Sequence, residues 1–253
     1  MKVRLTSFVC AGVLCAAGCS SSEPGPASIR GRFLLRGDVP VVRPLTIDKD
    51  IECCGRAPML SEELVVGPDH GLANVVVFIR DKNIPTAKQA VLEPVRVKTH
   101  GCRYEPHVVF VQTGQELLVG GDDCAPHNPN LMSAKNAPLG MLISPKNEVS
   151  LRFSSSESVP SQLACNIHPW MKGWVVIRSN RYAAISTKDG AFEIQDVPHG
   201  TWELQFWHER FGWIENMSIN GEAKFIPKGR MSVVVGPHGV HLGDIALDSS
   251  RLK

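Results

Sequence analysis

Cys165, His168 and Met171 stand at intervals of three in the run Cys-Asn-Ile-His-Pro-Trp-Met. In a tight loop that spacing turns a thiolate, an imidazole and a thioether toward one point. Soft sulfur together with imidazole favours copper, and a thioether is uncommon at zinc. A fourth donor must come from elsewhere, and the best placed is His127, which follows a polar turn after an apolar run at 116–119. Two imidazoles and a thiolate with a weak axial thioether suit a copper ion that changes oxidation state with little rearrangement. His107 is the rival for His127, but it lies in the apolar run 107–113 and reads better as a buried, hydrogen-bonded histidine. Trp170, beside His168, reads as a packing residue that also borders the site.

The cysteine count bears on this assignment. Of eight cysteines, Cys10, Cys15 and Cys19 fall at the N-terminus, leaving Cys53, Cys54, Cys102, Cys124 and Cys165. Five is odd, so at least one thiol stays unpaired. Cys165 is expected to be that thiol, since a Cys124–Cys165 bond would abolish a copper site. Cys53 and Cys54 are adjacent, about 3.8 Å apart at Cα, whereas bridged cysteines prefer about 5.5–6 Å. Each is therefore expected to reach a different partner among Cys102 and Cys124. That would staple an irregular loop at 48–58 to the rest of the chain.

The elements that must position these donors read as strands. Short runs rich in Val, Ile and Phe recur between Gly, Pro, Asn and Asp, and long helical periodicity is missing after the N-terminus. Strands are expected at 29–35, 64–66, 73–79, 95–98, 107–113, 116–119, 148–153 and 174–178. A second series follows at 183–186, 192–195, 202–207, 213–219, 231–235 and 240–247. A helical turn is expected within 84–91. The fold class is all-β, with a boundary near 179–181 dividing a unit at 29–180 from a smaller one at 181–253.

Two stretches resemble known families. Tyr104-Glu105-Pro106, 108–111, Gly114-Gln115 and Pro126-His127-Asn128 resemble the front of the cupredoxin pattern. Cys165 to Gly173 with Trp174-Val175-Val176 is similar to the metal loop and last strand of amicyanin-type members. The resemblance implies a Greek-key sandwich or barrel and one type 1 copper. His127, Cys165 and His168 would be its strong ligands and Met171 its axial one, with electrons leaving through an exposed edge of His168 to transient redox partners. The family usually has an Asn six residues before the first ligand His, tying the ligand loops together. Gly121 stands there, and Asp122, Asp123 or a disulfide at Cys124 is expected to compensate. Asp122 and Asp123 otherwise read as a solvated turn. Residues 186–194 and 197–204 resemble the carboxypeptidase regulatory-like, transthyretin-like (prealbumin-like) β-sandwich, which implies a non-catalytic packing or partner-binding module.

The N-terminus reads as an export signal over 1–18, with Lys2 and Arg4 ahead of an apolar stretch too short to span a bilayer. Ala16-Ala17-Gly18 before Cys19 resembles a bacterial lipobox, so Cys19 is expected to be lipidated and 19–28 to be a flexible linker to a membrane. The expected location is the periplasm or cell envelope, where disulfides persist. With 27 basic and 25 acidic side chains the net charge is +2, which offers no basic surface for nucleic acid. No nucleophile-elbow or covalent-haem motif appears, and no small-molecule substrate is implied, so the chain is expected to be a carrier rather than an enzyme. The alternatives are a copper delivery or sensing module, and a structural envelope protein that kept the fold without metal.

Overall fold

The structure is a computed structural model that describes residues 27–85 and 92–252. The export signal, Cys19, the linker through 26 and most of the 84–91 turn lie outside the described residues. Among those described, no helix is long and apolar enough to cross a membrane.

The described residues are almost all β, arranged as four sheets in two sandwiches. One sandwich pairs the sheet of Val108–Gln112, Lys172–Arg178, Ser161–Cys165, Pro129–Met132 and Leu139–Gly140 with that of Tyr104–Glu105, Val95–Thr99, Glu116–Gly121 and Glu148–Arg152. Val97, Val109, Val111, Leu117, Val119, Leu163, Val175 and Ile177 fill its core. The second sandwich has its own core, built around Phe33, Leu72, Val77, Phe206 and Ile245.

The strand Ala27–Arg36 is expected within the first unit, but it lies in the second sandwich. It runs parallel to Val240–Asp248 on one side and antiparallel to Ala191–Val197 on the other. Val76–Ile79 likewise pairs with Ala183–Ile185 and Gly200–His208. Residues 29–36 and 76–79 therefore belong with 183–248 rather than with the metal-loop sandwich. The physical reason is a gap in the C-terminal sheets that only these two strands fill. Local alternation reports that a segment is a strand and says nothing about which sheet receives it.

Val76–Ile79 is buried along its whole length. Val75, Val77 and Ile79 point into the second core, while Val76 and Phe78 meet Val108, Val176 and Trp207 between the sandwiches. Burial on both faces explains a run that is apolar at every position. Glu209 joins the same junction, bonding the imidazole of His107 and accepting from the Trp174 indole N–H at 2.8 Å. His107 is thus occupied as a structural histidine.

His208, at the end of Gly200–His208, is buried edge-on against Phe211 and accepts from the backbone N–H of Arg210. Burial pushes its pKa down to about 4, against the pull of Glu209. A folded pKa below the unfolded value of about 6.5 means the unfolded chain protonates first as pH falls. The contribution of His208 to stability should be level above pH 6.5 and should drop between 6.5 and 4, by on the order of 3 kcal/mol. Urea midpoints at pH 7.5 and 4.5 test it: His208→Gln should lose less stability on acidification than the parent, and an equal loss would rule His208 out.

Strands at 104–105, 129–132, 139–140, 161–165 and 222–225 are not legible in the sequence. They are short and polar, and non-local pairing defines them. Residues 213–219 divide into Gly212–Trp213 and Asn216–Ile219, and 64–66 contributes a single bridge at Val66. The loop at 48–58 contains one helical turn, Ile51–Cys54.

Candidate metal centre

Three strands and one loop bring the expected donors together. Ser161–Cys165 ends on Cys165, and Lys172–Arg178 begins directly after Met171. Between them the chain turns tightly: the Met171 N–H donates to the His168 carbonyl at 2.9 Å, and the Cys165 N–H to the Met171 carbonyl at 3.1 Å. His127 is placed from the other side by paired backbone bonds to Ile143, just before Pro129–Met132. That strand pairs with Ser161–Cys165.

The His127 and His168 Nδ1 atoms stand 3.1 Å apart, and the Cys165 Sγ lies 3.8 Å from the latter. All three donor atoms lie within 4.8 Å of one another. Metal–nitrogen and metal–sulfur bonds of about 2.0 and 2.3 Å to a shared ion place donors roughly 3.5–3.8 Å apart, so the set fits one ion. Met171 is buried in the same cluster as Cys165. Cys165 is the free cysteine among the described residues.

The outer nitrogens of both rings are bound to carboxylates. His127 Nε2 is 2.9 Å from Asp123 Oδ2, and His168 Nε2 is 2.8 Å from Asp50 Oδ2. With each Nε2 turned to a carboxylate, the two Nδ1 atoms face each other beside the sulfur. Only a cation or a shared proton relieves that opposition, and a carboxylate behind a ligating imidazole both orients it and raises its basicity. Burial disfavours the Cys165 thiolate. Its hydrogen bond with His127 and backbone N–H groups, chiefly that of Asn128, outweigh burial and hold the thiol below its ordinary range. Burial also opposes the His127 imidazolium, and bonds to Asp123 and Cys165 overcome it and raise the value. A metal entering here would find sulfur already disposed to ionise and would release a proton from the imidazole.

Several expectations change. Asp123 is buried, not part of a solvated turn; it also accepts from the Cys102 N–H at 3.1 Å. Burial works against its charge, but the bonds from His127 and Cys102 leave it more acidic than usual. Asp122 is exposed, beside His100. A side chain at Gly121 would meet the Thr99 carbonyl oxygen at 2.3 Å, so no Asn fits there. The tie between ligand loops comes instead from Asn128 and Asn166. Asn166 N–H donates to the Asn128 carbonyl at 2.9 Å, their amides bond at 3.1 Å, and the Asn128 N–H donates to the Cys165 sulfur at 3.4 Å.

The largest correction concerns His168, whose edge is not exposed at all: its accessibility is 0%. Residues 45–59 form a strap closed at its base by Leu45 N–H to the Met59 carbonyl. Cys53 is bonded to Cys124 and Cys54 to Cys102, so the adjacent pair does splay to different partners. The bonds press the Ile51–Cys54 turn onto the ring, with Asp50 on Nε2, the Cys54 sulfur 3.9 Å away and the Trp170 ring tilted at 41° with its centroid 5.0 Å off. Asp50 escapes sequence reading because it lies 118 residues from its partner. Asp123 carries a weak signal, an acid four residues before His127.

No family model matches the chain, and no curated protein matches it. Among solved structures, an amicyanin mutant in its reduced state is 22% identical over 40% of this chain and 97% of its own, with a TM-score of 0.31. A purple cupredoxin from Nitrosopumilus maritimus is 16% identical, covering 33% and 98%, with a TM-score of 0.28. A Cu-containing nitrite reductase from Thermus scotoductus SA-01 is 18% identical, with a TM-score of 0.31, over 38% of this chain and 25% of its own.

Proposed function

We propose that the chain is a type 1 copper protein that carries one electron at a time. His127, Cys165 and His168 would be its strong ligands, and Met171 its axial one. The supporting observation is the approach of the two Nδ1 atoms to 3.1 Å beside a buried thiol, with both outer nitrogens held by Asp123 and Asp50. Copper bound there would supply a one-electron couple. The protein's part is to hold four donors rigidly and dry, so that a change of charge moves few atoms.

Burial of all four donors favours a resident ion over the delivery or sensing reading. A carrier needs no substrate cavity, only a docking face for redox partners, and is not an enzyme on this reading. Export and an acyl chain on Cys19 are proposed with it, placing the protein at a membrane in the cell envelope.

One equivalent of copper(II) added to the copper-free protein should give an intense blue colour. A colourless complex with an ordinary tetragonal EPR signal would remove the proposal. Met171→Leu should stay blue with a raised potential, because a weak donor that favours the oxidised ion is lost. An unchanged potential would take Met171 out of the ligand set.

A further inference from the structure

We propose that Cys53–Cys124 is a thiol–disulfide exchange site for a dithiol reductant, and that opening it uncovers His168. The uncovering rests on the site geometry above, and its relevance to copper rests on the proposed function.

The two disulfides differ in access. Cys54 and Cys102 are buried, whereas Cys124 is exposed and Cys53 half-buried. Cys53 and Cys124 border an open groove of about 450 Å³ together with Arg56 and Arg103. Arg56 is anchored by its Nε to the Glu52 carbonyl and brings a guanidinium nitrogen 3.6 Å from the Cys124 sulfur. Asp122 and Asp123 line the groove too, the first beside His100 and the second held by His127, and Arg103 pairs with Glu62. The Arg56 guanidinium is the group set against the Cys124 sulfur, where it stabilises negative charge on that sulfur as it leaves.

The exchange follows from that asymmetry. A thiolate of the dithiol attacks Cys53 Sγ, the disulfide breaks, and Cys124 departs with the electron pair as a thiolate beside Arg56. The reagent's second thiol, deprotonated to water, then attacks the reagent sulfur bound to Cys53 and releases the Cys53 thiolate. The dithiol becomes a disulfide. Two electrons and, overall, two protons pass to Cys53 and Cys124.

The consequence is mechanical. Adjacent residues tied to two separate loops cannot rotate. With the outer tie opened, the strap keeps one pivot at Cys54–Cys102. Asp50 and the Ile51–Cys54 turn then swing about it, and the His168 Nε2 edge meets solvent.

The test uses the full, copper-free chain. After brief treatment with dithiothreitol, alkylation mapped by mass spectrometry should mark Cys53 and Cys124, with Cys54 and Cys102 still bonded. A monothiol such as glutathione should be trapped on Cys53. Diethyl pyrocarbonate should then modify His168 at least tenfold faster than in the untreated protein, and Cys53→Ser with Cys124→Ser should reproduce the gain without reductant. Reduction of Cys54–Cys102 first or together with the outer bond, trapping on Cys124, or an unchanged His168 rate would each overturn the proposal. None of these readouts needs copper, so failure of the copper reading shows separately, as a protein that takes up no metal. In the copper-loaded protein, the double variant should exchange electrons with hexacyanoferrate at least tenfold faster than the parent; equal rates would remove the link to electron transfer.

Discussion

Cys165→Ser is expected to abolish the visible charge-transfer band and to weaken copper binding by more than the roughly 10–100-fold that loss of an outer-shell partner costs. The hydroxyl is harder than the thiolate and does not ionise near neutral pH, so the site would lose both its charge and its soft donor. The fold should survive. Cys165 is free, sits at a strand end, and accepts backbone N–H bonds, chiefly from Asn128, that an oxygen also accepts. Absorption and isothermal titration on the two proteins decide the matter. Retained colour in the serine variant would show that another thiolate binds the metal, and no other free thiol exists among the described residues.

Loss of both disulfides should be the largest stability change available in the chain. The bonds are nested, with sequence separations of 71 and 48. Chain entropy assigns about 4 kcal/mol to closing the inner loop alone. Once it is closed, the outer bond restrains only the short segment from Cys102 to Cys124, contributing about 3 kcal/mol. Removing either bond should therefore cost about 3 kcal/mol, and removing both roughly 7 kcal/mol. Urea unfolding of the copper-free parent, Cys54→Ala with Cys102→Ala, and the fourfold variant measures these differences. A total loss under about 1 kcal/mol would mean that apolar contacts of Leu45, Ile47 and Met59 hold the strap unaided.

These two results would separate the roles of the five cysteines beyond the N-terminus. One would serve as a ligand, and four would hold a cover over the second histidine. The cover explains why a site with the donors of a carrier lacks an open imidazole edge. On the proposed reading it also sets a question, whether electrons would reach the centre through the strap or only after it swings away.

Much of the site is legible because it is local. Cys165, His168 and Met171 lie within one turn of chain, so covalent geometry alone nearly forces them together once a strand ends at Cys165. The adjacent cysteines are legible for the same reason, since two neighbours 3.8 Å apart along the backbone must look for different partners. Period-two alternation likewise reveals most of the longer strands. It fails for Ser161–Cys165 and Pro129–Met132, which become strands by pairing with each other and with Lys172–Arg178 and Leu139–Gly140 on either side.

What depends on long-range packing was decided by the tertiary structure. Ala27–Arg36 and Val76–Ile79 carry ordinary strand signals, yet their sheets are chosen by partners far along the chain, at 191–197 and 240–248 for the first and at 183–185 and 204–207 for the second. Asp50 bears no local mark of its role; it reaches His168 only because Cys53 and Cys54 pull the strap across the loop. The sequence by itself marked out the cluster of His127, Cys165, His168 and Met171, the strand-rich character and the need for the paired cysteines to part. Folding decided which cysteine each one met, which carboxylates stand behind the imidazoles, and that His168 is closed to solvent. Spacing along a chain limits only what is near in sequence; which distant surfaces meet depends on the packing of the whole molecule.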